Sequence, residues 1–564
     1  MLLAYNKLNL SNFRGDLLGG LTAAIVSLPM ALTFGIASGV GAEAGLYGAI
    51  LIGLFASLFG GTPTLISEPT GPMTVVMASV VAGLIAANPD NGLAMAFTVV
   101  MMAGLFQILF GALKLGKYIT LMPYSVVSGF MSGIGVILII LQLAPALGQA
   151  PPSGGVLGTL LNIPSIISDI DPYELMLFVI TLGCLFFTPR SIRMRFPPQL
   201  LALIGMTLLA AFVSQYNQNI DIRMIGQIDA SLPSFVLPTF SLMQLQTMLI
   251  DAMVLGMLGC IDSMLTSVIA DNMTRTEHDS NKELIGQGLG NIVSGMFGGL
   301  PGAGATMGTV VNIQAGGKTP LSGVIRVVIL LVAIFGLANL IQHIPLSVLA
   351  AIALKVGVDI LDWSYIKRAH QVSSQSSMIM YGVLFLTVFV DLIVAVGIGV
   401  FIANILAIER LSKMAEDNIL AMSDVDDKLP LDANQRNLLD QQNGRTLYFY
   451  LSGAMIFGVS KALAREHKNI TLHDAVIFDL EDVQLIDATI RLSIENMIKE
   501  ALELGKGVFL VVKSGHVENA MQKLNLYSLL PDHHIGKCRT EALENALAFL
   551  NSPRKVSETT DNAK

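Results

Sequence analysis

Charge is scarce in this chain. Only 13% of its 564 residues are Asp, Glu, Lys or Arg, about half the share in an ordinary soluble protein. That shortage excludes a globule with a fully solvated surface. Cysteine is scarcer still. Cys184, Cys260 and Cys538 stand far apart, which leaves neither a disulfide framework nor a metal-ligand spacing. Cys184 and Cys260 lie in apolar runs, where a thiol packs as a small hydrophobe. No stripe of Lys and Arg marks a nucleic-acid binder. No nucleophile–base pair is evident, so an enzyme is not expected. The start of the chain is polar and meets its first apolar run only near Leu17, so no cleavable secretion signal is expected.

What the chain has is hydrophobicity, 53% of its residues, with a mean hydropathy of +0.67. Apolar segments of membrane-spanning length recur about fourteen times. They lie near 17–37, 43–60, 68–87, 93–113, 120–142, 172–189, 198–215, 246–270, 284–298, 305–314, 321–342, 345–361, 376–391 and 392–409. Loop charge tests that count, because Lys and Arg collect on the cytoplasmic side. Lys7 and Arg14 precede the first span. Lys114 and Lys117 follow the fourth, and Arg190, Arg193 and Arg195 the sixth. Arg275 and Lys282 follow the eighth, Lys318 the tenth, Lys367 and Arg368 the twelfth, and Arg410 and Lys413 the last. All fall after an even number of crossings. The opposite loops carry Asp90, Asp169, Asp171 and Asp221, with Arg223 the exception. Both termini are therefore expected in the cytoplasm.

Two spans read as broken. Pro301-Gly302-Ala303-Gly304-Ala305-Thr306-Met307-Gly308-Thr309-Val310 places Pro and Gly ahead of a short helical run. Ser67-Glu68-Pro69-Thr70-Gly71-Pro72-Met73-Thr74-Val75-Val76 repeats the plan upstream. A helix that starts in the bilayer interior exposes backbone N–H groups and a partial positive charge, which suit an anion. Irregular backbone at that depth persists only where protein or a cavity surrounds it. The breaks fall in the third and tenth spans, seven apart. An odd repeat of seven gives two halves of opposite topology, the inverted-repeat plan of secondary transporters. The glycine-rich run lacks the Lys-Ser/Thr ending of a phosphate loop, which argues against a nucleotide site.

Past Arg410 the composition changes. Residues 411–445 are polar and acidic and are expected to form a linker. Thr446–Leu451 and Ala475–Leu480 read as strands, Ile490–Leu504 as an amphipathic helix and Gly507–Val512 as a buried strand. Alternating strands and helices imply a small α/β domain. The expected domains are 1–410 in the membrane, a linker 411–445, a domain 446–551 and a disordered tail 552–564.

The blocks Ile66–Thr74, Gly256–Asp262 and Gly302–Gly308 carry a family resemblance. The membrane part resembles the SulP family of inorganic anion transporters, most closely its sodium-dependent bicarbonate transporters. The C-terminal part resembles a STAS domain. The resemblance implies an α-helical polytopic protein of 14 spans in 7+7 inverted repeats, plus a small cytoplasmic STAS domain. A core of spans one to four and eight to eleven would move against a gate of the other six. Carried over residue by residue, Thr70, Ala305 and Thr306 would contact bicarbonate. Asp262, Thr266, Gly304 and Thr306 would hold a sodium ion as co-substrate, with no organic cofactor. A bacterial cytoplasmic membrane and a homodimer through the STAS domain are also implied. The family's phosphorylatable Ser is replaced by Ala488, with Thr489 next in line.

Read for their own chemistry, Asp262 and Thr266 share one helix face. A carboxylate within a span is costly and marks a site or a partner. Carboxylate, hydroxyl and carbonyl oxygens suit a small alkali cation; helix capping, pairing with a basic residue and proton titration are the alternatives for Asp262. Glu68 is expected to bond backbone N–H groups at the break, with a coupling role as its alternative. Lys355 is expected to pair with Asp359 one turn on. A proton-coupled sulfate permease needs an added positive group, and none is seen unless Lys355 reaches the site. An anion channel and an ion sensor acting through the STAS domain are the remaining rivals.

Overall fold

In a computed structural model, the described residues are 6, 8–119, 123–152, 154–189, 192, 197–216, 222–227, 233–390, 392–416, 419–423, 430–455, 463, 467–513, 515–523 and 526–552. Lys7, Arg190, Arg193, Arg195, Asp221 and the tail from residue 553 lie outside them. The chain divides into two compact units, 1–403 and 404–564.

A helix stands at each expected span. They are α1 (Phe13–Ala37), α2 (Ala42–Phe59), α3 (Gly71–Ala87), α4 (Gly92–Ala112), α5 (Tyr124–Leu141), α6 (Pro172–Phe187) and α7 (Pro198–Tyr216). The second set is α8 (Leu245–Thr274), α9 (Ser280–Met296), α10 (Thr306–Gln314), α11 (Pro320–Ile341), α12 (Leu346–Ile360), α13 (Ser374–Phe389) and α14 (Leu392–Glu416). Among the described residues, six of these helices, α1, α2, α4, α5, α8 and α11, are long and apolar enough to cross a membrane unaided. α10 has 9 residues, about 14 Å of helix, and cannot span a hydrocarbon layer about 30 Å thick.

Local sequence explains the starts. Asp171 caps α6 through the N–H groups of Tyr173 and Glu174, and Asp279 caps α9. Thr319 caps α11 ahead of Pro320, a residue that fits the first helical turn because it needs no N–H partner there. Asp16, fully buried on α1, accepts from the N–H groups of Lys318 and Thr319 and from the Thr319 hydroxyl. Packing between helices relies on missing side chains. A Cβ on Gly104 of α4 would strike the Gly288 carbonyl of α9, and one on Gly288 would strike that of Gly104. The two backbones touch, as small residues allow in lipid. Leu105, Leu109, Val328, Val332, Phe385 and Phe401 point outward, the surface a bilayer would cover.

The second unit is built on a five-stranded sheet: β3 (Ile419–Met422), β4 (Thr446–Met455), β5 (Ala475–Ile486), β6 (Gly507–Val511) and β7 (Ile535–Gly536), hydrogen-bonded in that order. β3 is antiparallel to β4, and the remaining pairs are parallel. Strand residues alternate between faces. Phe449, Phe478 and Leu510 pack under α16 (Ala488–Glu503) and α17 (His516–Gln522). Tyr448, Ile477 and Phe509 pack under α15 (Ala433–Asp440) and α18 (Arg539–Asn551). The stretch 411–445 is thus more than a linker, since it supplies an edge strand and a covering helix. Four apolar residues between acidic flanks, Ile419–Met422, give too short a pattern to mark a strand by periodicity. Asp487 caps α16 by accepting from the Ile490 N–H. Ala488 and Thr489 form the exposed first turn that follows.

Candidate functional site

The two broken spans meet. Ser67 and Glu68 form β1, Ala303 and Gly304 form β2, and the two pair antiparallel, Ser67 opposite Gly304 and Glu68 opposite Ala303. The Ala305 N–H extends the ladder by donating to the Ile66 carbonyl at 2.8 Å. Beyond β1 the chain turns at Thr70 into α3, and beyond β2 it turns at Ala305 into α10. Neither start carries a side-chain cap. Two helix N-termini therefore flank one two-stranded crossing, and their partial positive charges fall on the same region.

Backbone this irregular needs side-chain partners at membrane depth, and the sequence supplies them from other helices. Asn291 of α9 donates to the Gly302 carbonyl at 2.9 Å and accepts from the Gly302 N–H at 2.8 Å. Its amide also donates to Gln107 Oε1 of α4. Gln287 of α9 donates to Ser67 Oγ at 2.6 Å. Ser263 of α8 accepts from the Gly304 N–H at 3.0 Å. Thr309 accepts from the Ile66 N–H at 3.0 Å. Gly302 must be glycine, because a Cβ there would collide with the Glu68 carbonyl group.

The expected cation ligands lie together beside β2. Thr266 Oγ1 donates to the Gly304 carbonyl at 2.8 Å and lies 2.9 Å from Thr306 Oγ1. Asp262 is one turn earlier on α8, 7% exposed. Its Oδ2 is buried without a hydrogen-bond partner. The Thr70 hydroxyl lies beside that carboxyl and is buried with no other hydrogen-bond partner. Thr70 and Ala305 are buried, whereas Thr306 and Met307 are exposed, so the arrangement opens at α10. All six expected residues, Thr70, Asp262, Thr266, Gly304, Ala305 and Thr306, thus belong to one neighbourhood. Its oxygen donors are hard, and its unsatisfied ones belong to the carboxylate and a hydroxyl. Such a set fits an alkali cation beside an oxyanion. Among the described residues no group of three or more His, Cys, Asp or Glu side chains could hold a metal ion.

Glu68 departs from expectation. Its carboxylate accepts from Arg326 Nη2 at 2.7 Å rather than from backbone N–H groups. Arg326 on α11 is fully buried. Its Nη1 donates to the Ser67 carbonyl at 3.0 Å and its Nε to Ser27 Oγ of α1 at 2.8 Å. Gly53 of α2 makes room, since a Cβ there would lie 2.5 Å from Nη1. The positive group near the site is therefore Arg326, which the sequence reading passed over inside an apolar run. A lone Arg in Gly323-Val324-Ile325-Arg326-Val327-Val328 was the available signal. Lys355 does bond Asp359, and its ammonium also sits 5.1 Å from the Phe186 ring centre. That pair is committed elsewhere.

Comparison with known proteins places this geometry. Residues 13–383 match the model of the Sulfate permease family, and residues 437–540 match the STAS domain. The Bicarbonate transporter BicA of Synechocystis sp. is 59% identical over 545 residues, 97% of this chain and 96% of that one. A solved transmembrane domain of a cyanobacterium bicarbonate transporter BicA is 63% identical, with a TM-score of 0.66, covering 70% of this chain and 99% of that one. The murine Solute Carrier 26 family member A9 anion transporter, solved in the inward-facing state, shares the fold with a TM-score of 0.81 at 17% identity, covering 96% of this chain and 92% of that one. The chain belongs to the sulfate permease (SulP) family, as a helical multi-pass membrane transporter fold that ends in a STAS domain.

Proposed function

We propose that this protein carries bicarbonate into the cell together with sodium. The observation that carries the reading is the crossing of β1 and β2, where two uncapped helix starts meet beside the unpartnered carboxylate oxygen of Asp262. Bicarbonate sits against Thr70, Ala305 and Thr306, where its charge meets the helix ends. Sodium sits among Asp262, Thr266, the Gly304 carbonyl and Thr306. Either ion alone leaves an unpaired charge in a dry site, which is costly. Bound together, the two ions, Asp262 and the two helix ends, each equivalent to about half a positive charge, sum to about zero, so the loaded site can cross the bilayer. Two of the relatives named above are bicarbonate transporters, which supports the choice of anion.

Transport proceeds by an elevator-like movement of the crossing with its supporting helices. The side-chain hydrogen bonds that reach the crossing from elsewhere come from α8, α9 and α11, and Arg326 of α11 is in turn tied to Ser27 of α1. α5 is tied instead to the end of α12, where Tyr124 and Ser128 both donate to Asp362. Two groups of helices held by separate bonds can slide past each other. The protein works in the bacterial cytoplasmic membrane with both termini inside, as a homodimer joined through its STAS domains.

The test is uptake of labelled bicarbonate by proteoliposomes. Uptake is expected only with an inward sodium gradient and is lost in Asp262→Ala. Equal uptake without sodium refutes the coupling. The sulfate reading is disfavoured because Arg326 is neutralised by Glu68, and competition by sulfate would restore it.

A further inference from the structure

We infer that the buried Glu68–Arg326 pair sets the charge selectivity of the anion site: Glu68 cancels the guanidinium beside the crossing and so matches the site to a monovalent oxyanion.

The inference rests on the reading of Thr70, Ala305 and Thr306 as the anion site. Among the described residues Arg326 is the one fully buried cation of the chain. It is not remote from that site. Nη1 holds the Ser67 carbonyl, and Ser67 faces Gly304 across the two-stranded ladder. Gly304 directly precedes Ala305 and Thr306. Glu68 lies two residues before Thr70, at most about 7 Å of extended chain. Its Oε1 lies 3.4 Å from the position a Cβ on Gly308 would take, in the first turn of α10. The pair thus stands between the starts of α3 and α10, the two places that would hold the anion.

A guanidinium in that position is the group a dianion would use. Arg presents a planar fork that fits oxyanions and stays charged at all accessible pH values. Here Nε and Nη1 are taken by Ser27 and Ser67, and Nη2 by the Glu68 carboxylate. No net positive side-chain charge is left for the substrate, so the helix ends supply the attraction. Two helix starts, each equivalent to about half a charge, balance one negative charge and not two. The carboxylate at position 68 therefore excludes the doubly charged anion by cancelling its counter-charge, not by blocking its path.

The test measures labelled bicarbonate and labelled sulfate uptake side by side in proteoliposomes of the full chain. In Glu68→Gln the guanidinium is uncancelled. The sulfate-to-bicarbonate ratio of Vmax/KM is expected to rise about tenfold or more, because a freed cation attracts a dianion twice as strongly. In Glu68→Gln/Arg326→Gln the charge is absent again, and the ratio returns to the wild-type value. Arg326→Gln leaves Glu68 uncancelled, so the KM for bicarbonate rises about tenfold and half-saturation by sodium falls. A loss of Vmax in these variants with the ratio and both constants unchanged would show that the pair only holds the fold together, and would overturn the inference. A wild-type protein that carries sulfate as readily as bicarbonate would overturn the proposed function itself. Exclusion of sulfate by wild type and Glu68→Gln alike overturns the charge inference alone.

Discussion

Asn291→Ala should damage the crossing without touching either expected ion site. Asn291 is fully buried, and its amide satisfies both the N–H and the carbonyl of Gly302. Alanine leaves both backbone groups buried and unpaired. Each such group costs about 1–3 kcal/mol, so the variant should lose about 2–6 kcal/mol of local stability. Gln107 Oε1, which accepts from the same amide, also loses a partner. The loss falls on β2, which positions Gly304, Ala305 and Thr306. Thermal unfolding in detergent and bicarbonate uptake in proteoliposomes are the paired assays. The expected result is a Tm lowered by several degrees and uptake reduced more than the amount of folded protein explains. Asn291→Asp keeps the acceptor for the Gly302 N–H but sets a carboxylate oxygen against the Gly302 carbonyl and Gln107 Oε1, and should be no milder than alanine. Wild-type uptake and Tm in Asn291→Ala would show that Gly302 finds other partners, and would refute the view that side chains hold the crossing open.

Three further outcomes follow from other parts of the molecule. Gly302→Ala forces a Cβ against the Glu68 carbonyl, where overpacking costs about 1–3 kcal/mol; uptake should fall with both KM values altered, and an unchanged KM for bicarbonate would contradict the close approach of β1 and β2. Thr266→Val keeps the shape but removes the hydroxyl that bonds Gly304 and Thr306; half-saturation by sodium should rise about tenfold, the effect of one lost hydrogen bond to a buried group. In the STAS domain, burial against Phe509 holds the His534 imidazole below its usual value. A base depressed in this way favours the folded state above the ordinary histidine pKa and loses that contribution as pH falls through the folded value. Hydrogen exchange of β6, corrected for intrinsic rates, should therefore be less protected at pH 5.5 than at pH 7.5, and His534→Phe should remove the difference.

Much of this architecture could be read from residue pattern. The spans were visible because each must present a long apolar run to lipid, and the breaks because Pro and Gly interrupt two of those runs at matching places. Asp262 and Thr266 stood out because a carboxylate and a hydroxyl one turn apart are unusual in a span. The Lys355–Asp359 pair followed from helix spacing alone. Arg326 did not, because its partners Ser27, Ser67 and Glu68 are distant in sequence and only the packed helices bring them together. For the same reason the sequence pattern points Glu68 to nearby backbone groups and not to Arg326. Asn291 and Gln287 are ordinary polar residues by pattern; their role is defined by the unpaired backbone of the crossing. Strand β3 was hidden because its pairing with β4, not its own composition, makes it a strand.

The most direct test of the account is the mutual dependence of the two ions on purified protein. If sodium and bicarbonate complete one neutral site, each must tighten the other's binding by the same factor. Bicarbonate titrations at fixed pH in sodium and in choline should show an affinity gain in sodium that matches the gain for sodium in bicarbonate, and Asp262→Asn should abolish both. Equal bicarbonate affinity in sodium and choline would contradict the account.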